Sequence, residues 1–139
     1  MKNYLILITA ILIPTFSYAD KKQDEVRAVQ QLTQYDQKCA QFDKDACKTL
    51  LTKLADMCKK NSFACFRLGE IAAINSEVAA RQGMTEDSIQ WLDLAVGSTK
   101  RACQLNLPQA CTEVKKLKSS FRKSCEKGDQ FFCKASKLL

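Results

Sequence analysis

Eight cysteines fall into four close pairs, Cys39/Cys47, Cys58/Cys65, Cys103/Cys111 and Cys125/Cys133, at steps of 8, 7, 8 and 8 residues. This spacing constrains the fold more than any other feature of the chain. On one continuous helix, residues eight apart are separated by roughly 12 Å along the axis. A disulfide needs Cα atoms within about 7 Å. Such a pair can bridge only if the chain turns back between its members. Every interval carries a turn or helix-start signal: Asp43 before Lys44-Asp45, Asn61-Ser62, Asn106-Leu107-Pro108, and Gly128-Asp129. Gly and Asn suit the left-handed residue that ends a helix, Asp or Ser suits the next N-cap, and Pro108 suits a first helical turn. Many pairings are open to eight cysteines, and the four local ones are expected, each a staple across a helix-turn-helix corner. The competing readings are buried free thiols and a metal site. The chain has no C-x2-C and no histidine, so the usual zinc spacings are missing. No metal and no cofactor are expected.

Residues 1–19 read as a targeting segment. Lys2 supplies the positive start, Tyr4 to Ile13 is apolar, Pro14 breaks the run, and Ser17-Tyr18-Ala19 resembles a small-x-small cleavage site before Asp20. The apolar run is too short to serve as a permanent membrane anchor, and no cysteine follows the site as a lipoprotein would require. Cleavage after Ala19 leaves 139 − 19 = 120 residues, the size of one domain, 20–139. Export to the periplasm or the medium also carries the cysteines to an oxidising compartment.

The mature chain reads as helices with short connections. Asp20 to Arg27 is charged and expected to fray at its start. One helix is expected from Asp24 to Cys39, and a second from Asp43 to Lys59 with Cys47, Leu50, Leu51, Leu54 and Cys58 on one face. A third starts near Ser62, its apolar face running from Ala64 and Cys65 to Val78 and Ala79. Gly83-Met84-Thr85 ends it, with Thr85 as the N-cap of a fourth helix that reaches Gln104. That helix carries two apolar stripes, one through Ile89, Leu92, Val96 and Cys103 and one through Trp91, Ala95 and Ala102, so it packs between two neighbours. Gly97 inside it reads as a close helix crossing. A fifth helix runs from Pro108 to about Lys127, and a last short one from Asp129 to the end. The fold class is therefore all-α, about six antiparallel helices in a layered hairpin array.

A family resemblance then becomes visible. Ala64-Cys65-Phe66-Arg67-Leu68-Gly69, followed by Gly83, Trp91, Ala102-Cys103 and Ala110-Cys111, resembles one Sel1-like repeat over residues 64–111. The cysteine-bearing corners, Ser124-Cys125-Glu126-Lys127-Gly128-Asp129 with Cys133 among them, are similar to those of the Helicobacter cysteine-rich proteins. The resemblance implies a degenerate α/α solenoid related to tetratricopeptide arrays, exported and stapled at successive corners. It also implies one enzymatic alternative, because some members of that family carry a β-lactam-hydrolase or penicillin-binding label.

The absence of histidine removes His-based triads, and the four glycines form no phosphate loop. Ser120-x-x-Lys123 matches the S-x-x-K nucleophile motif of serine β-lactamases, without the S-D-N and K-T-G partners. Ser120 and Lys123 are the catalytic candidates for that alternative. Charge is unevenly spread. Residues 100–139 carry ten Lys/Arg and three Asp/Glu, 10 − 3 = +7, whereas residues 20–99 carry eleven and twelve, 11 − 12 = −1. Lys115, Lys116, Arg122 and Lys123 on the fifth helix read either as a solvated face or as a docking surface for a partner, an acidic one included. The single tryptophan, Trp91, reads as core packing or as a groove anchor. Nucleic acid is not expected as a partner, given the compartment and the lack of a known motif. The expected function is an exported, non-enzymatic protein- or peptide-binding module, such as a periplasmic adaptor or an immunity-type inhibitor. The alternatives are a β-lactam-active protein and a secreted host-interacting protein.

Overall fold

A computed structural model describes residues 16–139, with side chains from residue 21 onward. The expected targeting segment, 1–19, lies outside the described residues except for the backbone of 16–19. The described chain is all α-helical: α1 Phe16–Gln30, α2 Thr33–Ala40, α3 Lys44–Met57, α4 Ser62–Arg81, α5 Thr85–Gln104, α6 Pro108–Glu126 and α7 Gln130–Ala135, closed by a 3-10 turn over Ser136–Leu138. Helices that follow one another pack antiparallel, and four disulfides each join adjacent helices: Cys39–Cys47, Cys58–Cys65, Cys103–Cys111 and Cys125–Cys133. These bridges point to an oxidising, extracytoplasmic setting. No helix among the described residues is long and apolar enough to cross a membrane.

The three eight-residue corners share one geometry. Three residues after the first cysteine the chain takes a left-handed residue: Phe42 at φ 66°, Asn106 at φ 65° and Gly128 at φ 92°. Its N–H donates back to the cysteine carbonyl, and the next N–H donates to the carbonyl before it: Phe42 to Cys39 O at 2.9 Å and Asp43 to Lys38 O at 3.1 Å. Asn106 and Leu107, and Gly128 and Asp129, repeat the pair. This double bond satisfies the carbonyls left free at a helix end. The residue that closes one helix then starts the next, so Asp43, Leu107 and Asp129 are N-caps. Four residues on, the second cysteine donates its N–H to that N-cap carbonyl at 3.0, 3.3 and 3.0 Å. The cysteine Cα atoms end 4.5, 4.6 and 4.5 Å apart. The seven-residue corner omits the left-handed residue: Asn61 N–H reaches Met57 O directly, and the Asn61 side chain caps α4 through Ala64 N at 2.9 Å. Its Cα–Cα distance is 4.4 Å.

The α4–α5 turn has the eight-residue corner geometry without a bridge. Gly83 lies at φ 76°, Gly83 N–H donates to Ala80 O, Met84 N–H to Ala79 O, and Ser88 N–H to Met84 O. Ala80 and Ser88 therefore stand where the other corners carry cysteine. In their place the buried Ser76 and Ser88 exchange hydrogen bonds, Ser76 Oγ to Ser88 O at 2.7 Å and Ser88 Oγ to Ser76 O at 2.9 Å.

The apolar interior passes along the array in three clusters. Leu32, Leu50, Leu54, Ala64 and Leu68 join α2, α3 and the first half of α4, with Val29, Tyr35 and Ile71 at the margin. Cys65, Ala102, Leu107 and Ala110 fill the junction of α4, α5 and α6. Leu92, Val96, Phe121 and Ala135 join α5, α6 and α7, and Phe121 and Phe131 each pack against Phe132 at centroid distances of 5.4 and 5.2 Å.

The structure corrects four expectations. The helix expected from Asp24 to Cys39 is two, broken at Gln31-Leu32. Leu32 N–H bonds Val29 O instead of the i−4 carbonyl, and the Thr33 hydroxyl takes Gln30 O. The break turns Leu32, 8% exposed, into the core. Gly97 is not at a helix crossing, because a methyl there would meet no atom within 4 Å. The close approach is at Gly69, where a methyl would lie 2.6 Å from Thr99 Oγ1 and 3.2 Å from Ala95 O. Thr85 is not an N-cap; Met84 is, because Met84 is already committed as the residue that closes α4. Val78 is exposed rather than buried, since it lies about a third of a turn round the helix from the buried Ala72, Ser76 and Ala79 face.

Candidate interaction surface

α6 holds its buried side, Ala110 and Phe121, against the core and turns a polar side outward. Lys115, Lys116, Arg122 and Lys123 are all exposed on that side. Two anionic neighbours lie along the same helix, Glu113 at 3.8 Å from Lys116 Nζ and Glu126 at 3.8 Å from Arg122 Nε. Exposed pairs of this kind contribute little and leave most of the positive charge open. α6 is cross-linked near both ends, to α5 through Cys103–Cys111 and to α7 through Cys125–Cys133. A basic face on such a helix loses little freedom when a partner docks. Lys115 also borders a surface depression of about 400 Å³ lined by Pro108, Thr112 and the Cys103–Cys111 bridge.

Ser120 and Lys123 are exposed on the same outer side of α6. A serine nucleophile needs a base within hydrogen-bond reach and donors aimed at the developing oxyanion. The structure sets Ser120 and Lys123 one helical turn apart on solvated helix surface and brings neither into the depression beside Lys115. Trp91 is half-buried on α5, near the α4–α5 turn and away from α6's basic face. No group of three or more His, Cys, Asp or Glu side chains among the described residues could hold a metal ion.

The largest polar cluster lies where the sequence suggested only fraying. Glu25 on α1 is buried, and its carboxylate accepts from Ser62 N at 3.1 Å and from the Ser62 hydroxyl, at the first turn of α4. Negative charge is favourable at a helix N-terminus. Lys22 Nζ reaches Glu25 Oε2 at 3.2 Å, Ser62 Oγ at 2.7 Å and Leu105 O at 2.9 Å, where α5 ends. Asn61 Nδ2 donates to Glu25 O at 2.9 Å. α1 is thus a clasp across the start of α4 and the end of α5. Ser62 is fully buried, so this serine–lysine contact is closed to substrate. A Lys-x-x-Glu pair in a charged run gives no sign in the sequence that it is buried. The one available hint is Asn61-Ser62, a helix start that attracts an anion. A second tie, Arg67 on α4, holds both oxygens of Asp36 on α2 at 2.8 Å and Glu70 at 3.1 Å. Burial disfavours the Arg67 charge, but the two carboxylates more than offset this and hold its pKa above the usual arginine value.

Comparison with known proteins returns no match: no protein-family model, no curated protein and no solved structure matches this chain.

Proposed function

We propose that the protein is an exported, non-enzymatic recognition module of the Sel1-like helical-repeat kind. It works in the periplasm or outside the cell and binds another protein or peptide through a surface pre-set by its bridges. The observation that carries this reading is the exposed basic face of α6 on a helix cross-linked near both ends. The partner it suits presents acidic side chains. An adaptor in the periplasm or an immunity-type inhibitor would both use such a face. The antiparallel helices and the bridged corners support the repeat-family part of the reading, and the apolar, Lys-started segment 1–19 supports export.

The experiment uses the oxidised protein as bait in periplasmic extract and culture medium, beside a variant with Lys115, Lys116, Arg122 and Lys123 all changed to Glu. Recovery of a specific protein by the native bait should fall steeply with salt, since exposed charge is screened over about 8–10 Å. It should also fall with the charge-reversed bait at unchanged helicity. Recovery that ignores both salt and charge reversal would return this face to plain solvation.

A further inference from the structure

We propose that the open end of the α4–α5 hairpin is a second docking site, and that its occupant is a cationic amphipathic helix of a partner protein. The site is remote in sequence from α6's basic face and of opposite charge, so it stands independently of the function proposed above.

On α4, Leu68 and Ile71 belong to the core that α2 and α3 cover. Ile74 and Val78 follow Ile71 by three and seven residues, so helical pitch keeps them on the same side. Neither is part of the core that packs around Leu68 and Ile71. Ile74 is 59% exposed and Val78 46%. The Ser76–Ser88 bonds fix the register with α5. Trp91 therefore falls opposite residue 73, since 76 + 88 = 91 + 73. Leu94, exposed, lies on the next turn of α5, and Met84, also exposed, sits at the turn. These side chains make one apolar strip around the free end of the hairpin, of the sort that marks an interaction site.

Two observations choose the occupant. The first is charge. Residues 70–94 carry five acids, Glu70, Glu77, Glu86, Asp87 and Asp93, and one base, Arg81, 1 − 5 = −4. Glu70 and Glu77 pair with Arg67 and Arg81. Glu86, Asp87 and Asp93 enter no ion pair among the described residues, and Asp87 lies two turns from Leu94 on one side of α5. An apolar strip flanked by Asp87, in a segment of net charge −4, favours apolar groups that bring positive charge with them. The second is what the covered half of the same α4 side already holds. α3 presents Ala46, Leu50 and Leu54 to the core at four-residue steps, with Lys44, Lys48 and Lys53 exposed beside Asp45 and Asp56, 3 − 2 = +1. The chain therefore seats a lysine-bearing amphipathic helix on the first half of this stripe. A helix of the same chemistry extends the packing over the second half.

The test titrates the oxidised full chain with a synthetic Leu/Lys amphipathic peptide of about 18 residues, about five turns of helix, and with a Leu/Glu peptide of identical pattern. The readout is the emission of Trp91, the only tryptophan. The Leu/Lys peptide should bind saturably and shift the emission to shorter wavelength, and the Leu/Glu peptide should not. Ile74→Glu with Val78→Glu should weaken binding at least about tenfold, as loss of central apolar anchors does. Asp87→Lys should weaken the Leu/Lys peptide and admit the Leu/Glu one. The four-fold Glu variant of α6 should leave the titration unchanged. Should the Glu pair disturb folding, Ile74→Ser with Val78→Ser tests the same contact. Absence of saturable binding by the Leu/Lys peptide, or equal binding of the two peptides, would overturn the proposal. So would sedimentation of a native dimer that Val78→Glu converts to monomer, since the occupant would then be a second copy.

Discussion

The bridged corners and the α4–α5 seam hold the same kind of antiparallel packing by opposite means. Cross-links tie α2, α3 and α4 into one unit and α5, α6 and α7 into another, and none joins the two units. The bridges reach the two shortest helices, which bury little. α2 has no buried residue, and α7 has only Ala135. At the seam, α4 buries Ala72 and Ala79, α5 buries Ala95 and Ala102, and Gly69 lets Thr99 and Ala95 approach closely. Small residues over some five turns bring the two backbones together, while short helices at the rim lack the area to hold themselves. Covalent ties are thus placed where burial is thin and omitted where burial suffices.

The comparison breaks most directly under reduction. A bridge closing about nine residues contributes roughly 2.6 kcal/mol in the chain-entropy model, so the four together give about 10 kcal/mol at most. That equals much of the roughly 5–15 kcal/mol total of a small domain. Full reduction is expected to bring melting to about 37 °C or below, with residues 125–139 losing amide protection before 64–104. Circular dichroism with hydrogen exchange in excess reductant tests the order, and equal loss at the rim and at the seam would mean that the two are not held differently.

A fifth bridge tests whether the seam lacks only its cysteines. Ala80→Cys with Ser88→Cys should oxidise spontaneously and raise stability by up to about 2.6 kcal/mol, less what the Ser76–Ser88 bonds supply. A variant that stays reduced, or that melts lower when oxidised, would show that this corner differs from the others despite its hydrogen bonds. Gly69→Ala sharpens the packing side of the contrast. Overpacking against the Thr99 side chain should cost about 1–3 kcal/mol, whereas Gly97→Ala, on open helix surface, should gain up to about 1 kcal/mol. Urea melts of the two variants should move in opposite directions. The smallest expected effect is at Phe42, a left-handed residue that is 90% exposed. Phe42→Gly should add about 1 kcal/mol by removing steric strain. A drop in stability would mean that the ring makes a contact that holds the first corner.

The corners were legible because cysteine spacing and turn chemistry act over a few residues. Asn106, Gly128 and Pro108 announce their conformations, and so did the pairings. Phe42 did not, because nothing in its side chain favours the left-handed region; the bridge and the two backbone hydrogen bonds impose it. The Leu32 break was hidden for a similar reason: a leucine after two glutamines continues a helix by propensity, and only the core makes the turn worthwhile. Lys22 and Glu25 read as solvent-facing because burial of a charged pair depends on a partner 40 residues away, Ser62. Gly97 and Gly69 show the same limit, since a glycine in a helix carries no record of which neighbour comes close. On α6 the basic face was legible as charge and helical phase, while the open apolar end of the hairpin was not, because it depends on which part of α4 its neighbours cover.

The separation of the cross-links into two sets has a consequence for a cut chain. A protease that cleaves between Cys39 and Cys47, or inside any other bridged corner, leaves both products joined through sulfur. Residues 80–87 are all exposed, and cleavage there falls outside every bridged interval. The products would migrate as two bands on a non-reducing gel, yet each would carry one intact cross-linked triplet of helices, the first with α1 in addition. Joined through the small buried residues of the α4–α5 seam, the Cys65–Ala102–Leu107–Ala110 cluster, the serine pair and the Lys22 clasp, the two fragments should reassociate on mixing. The protein can therefore be expressed as a pair of complementing halves, and their dissociation constant would measure the seam directly.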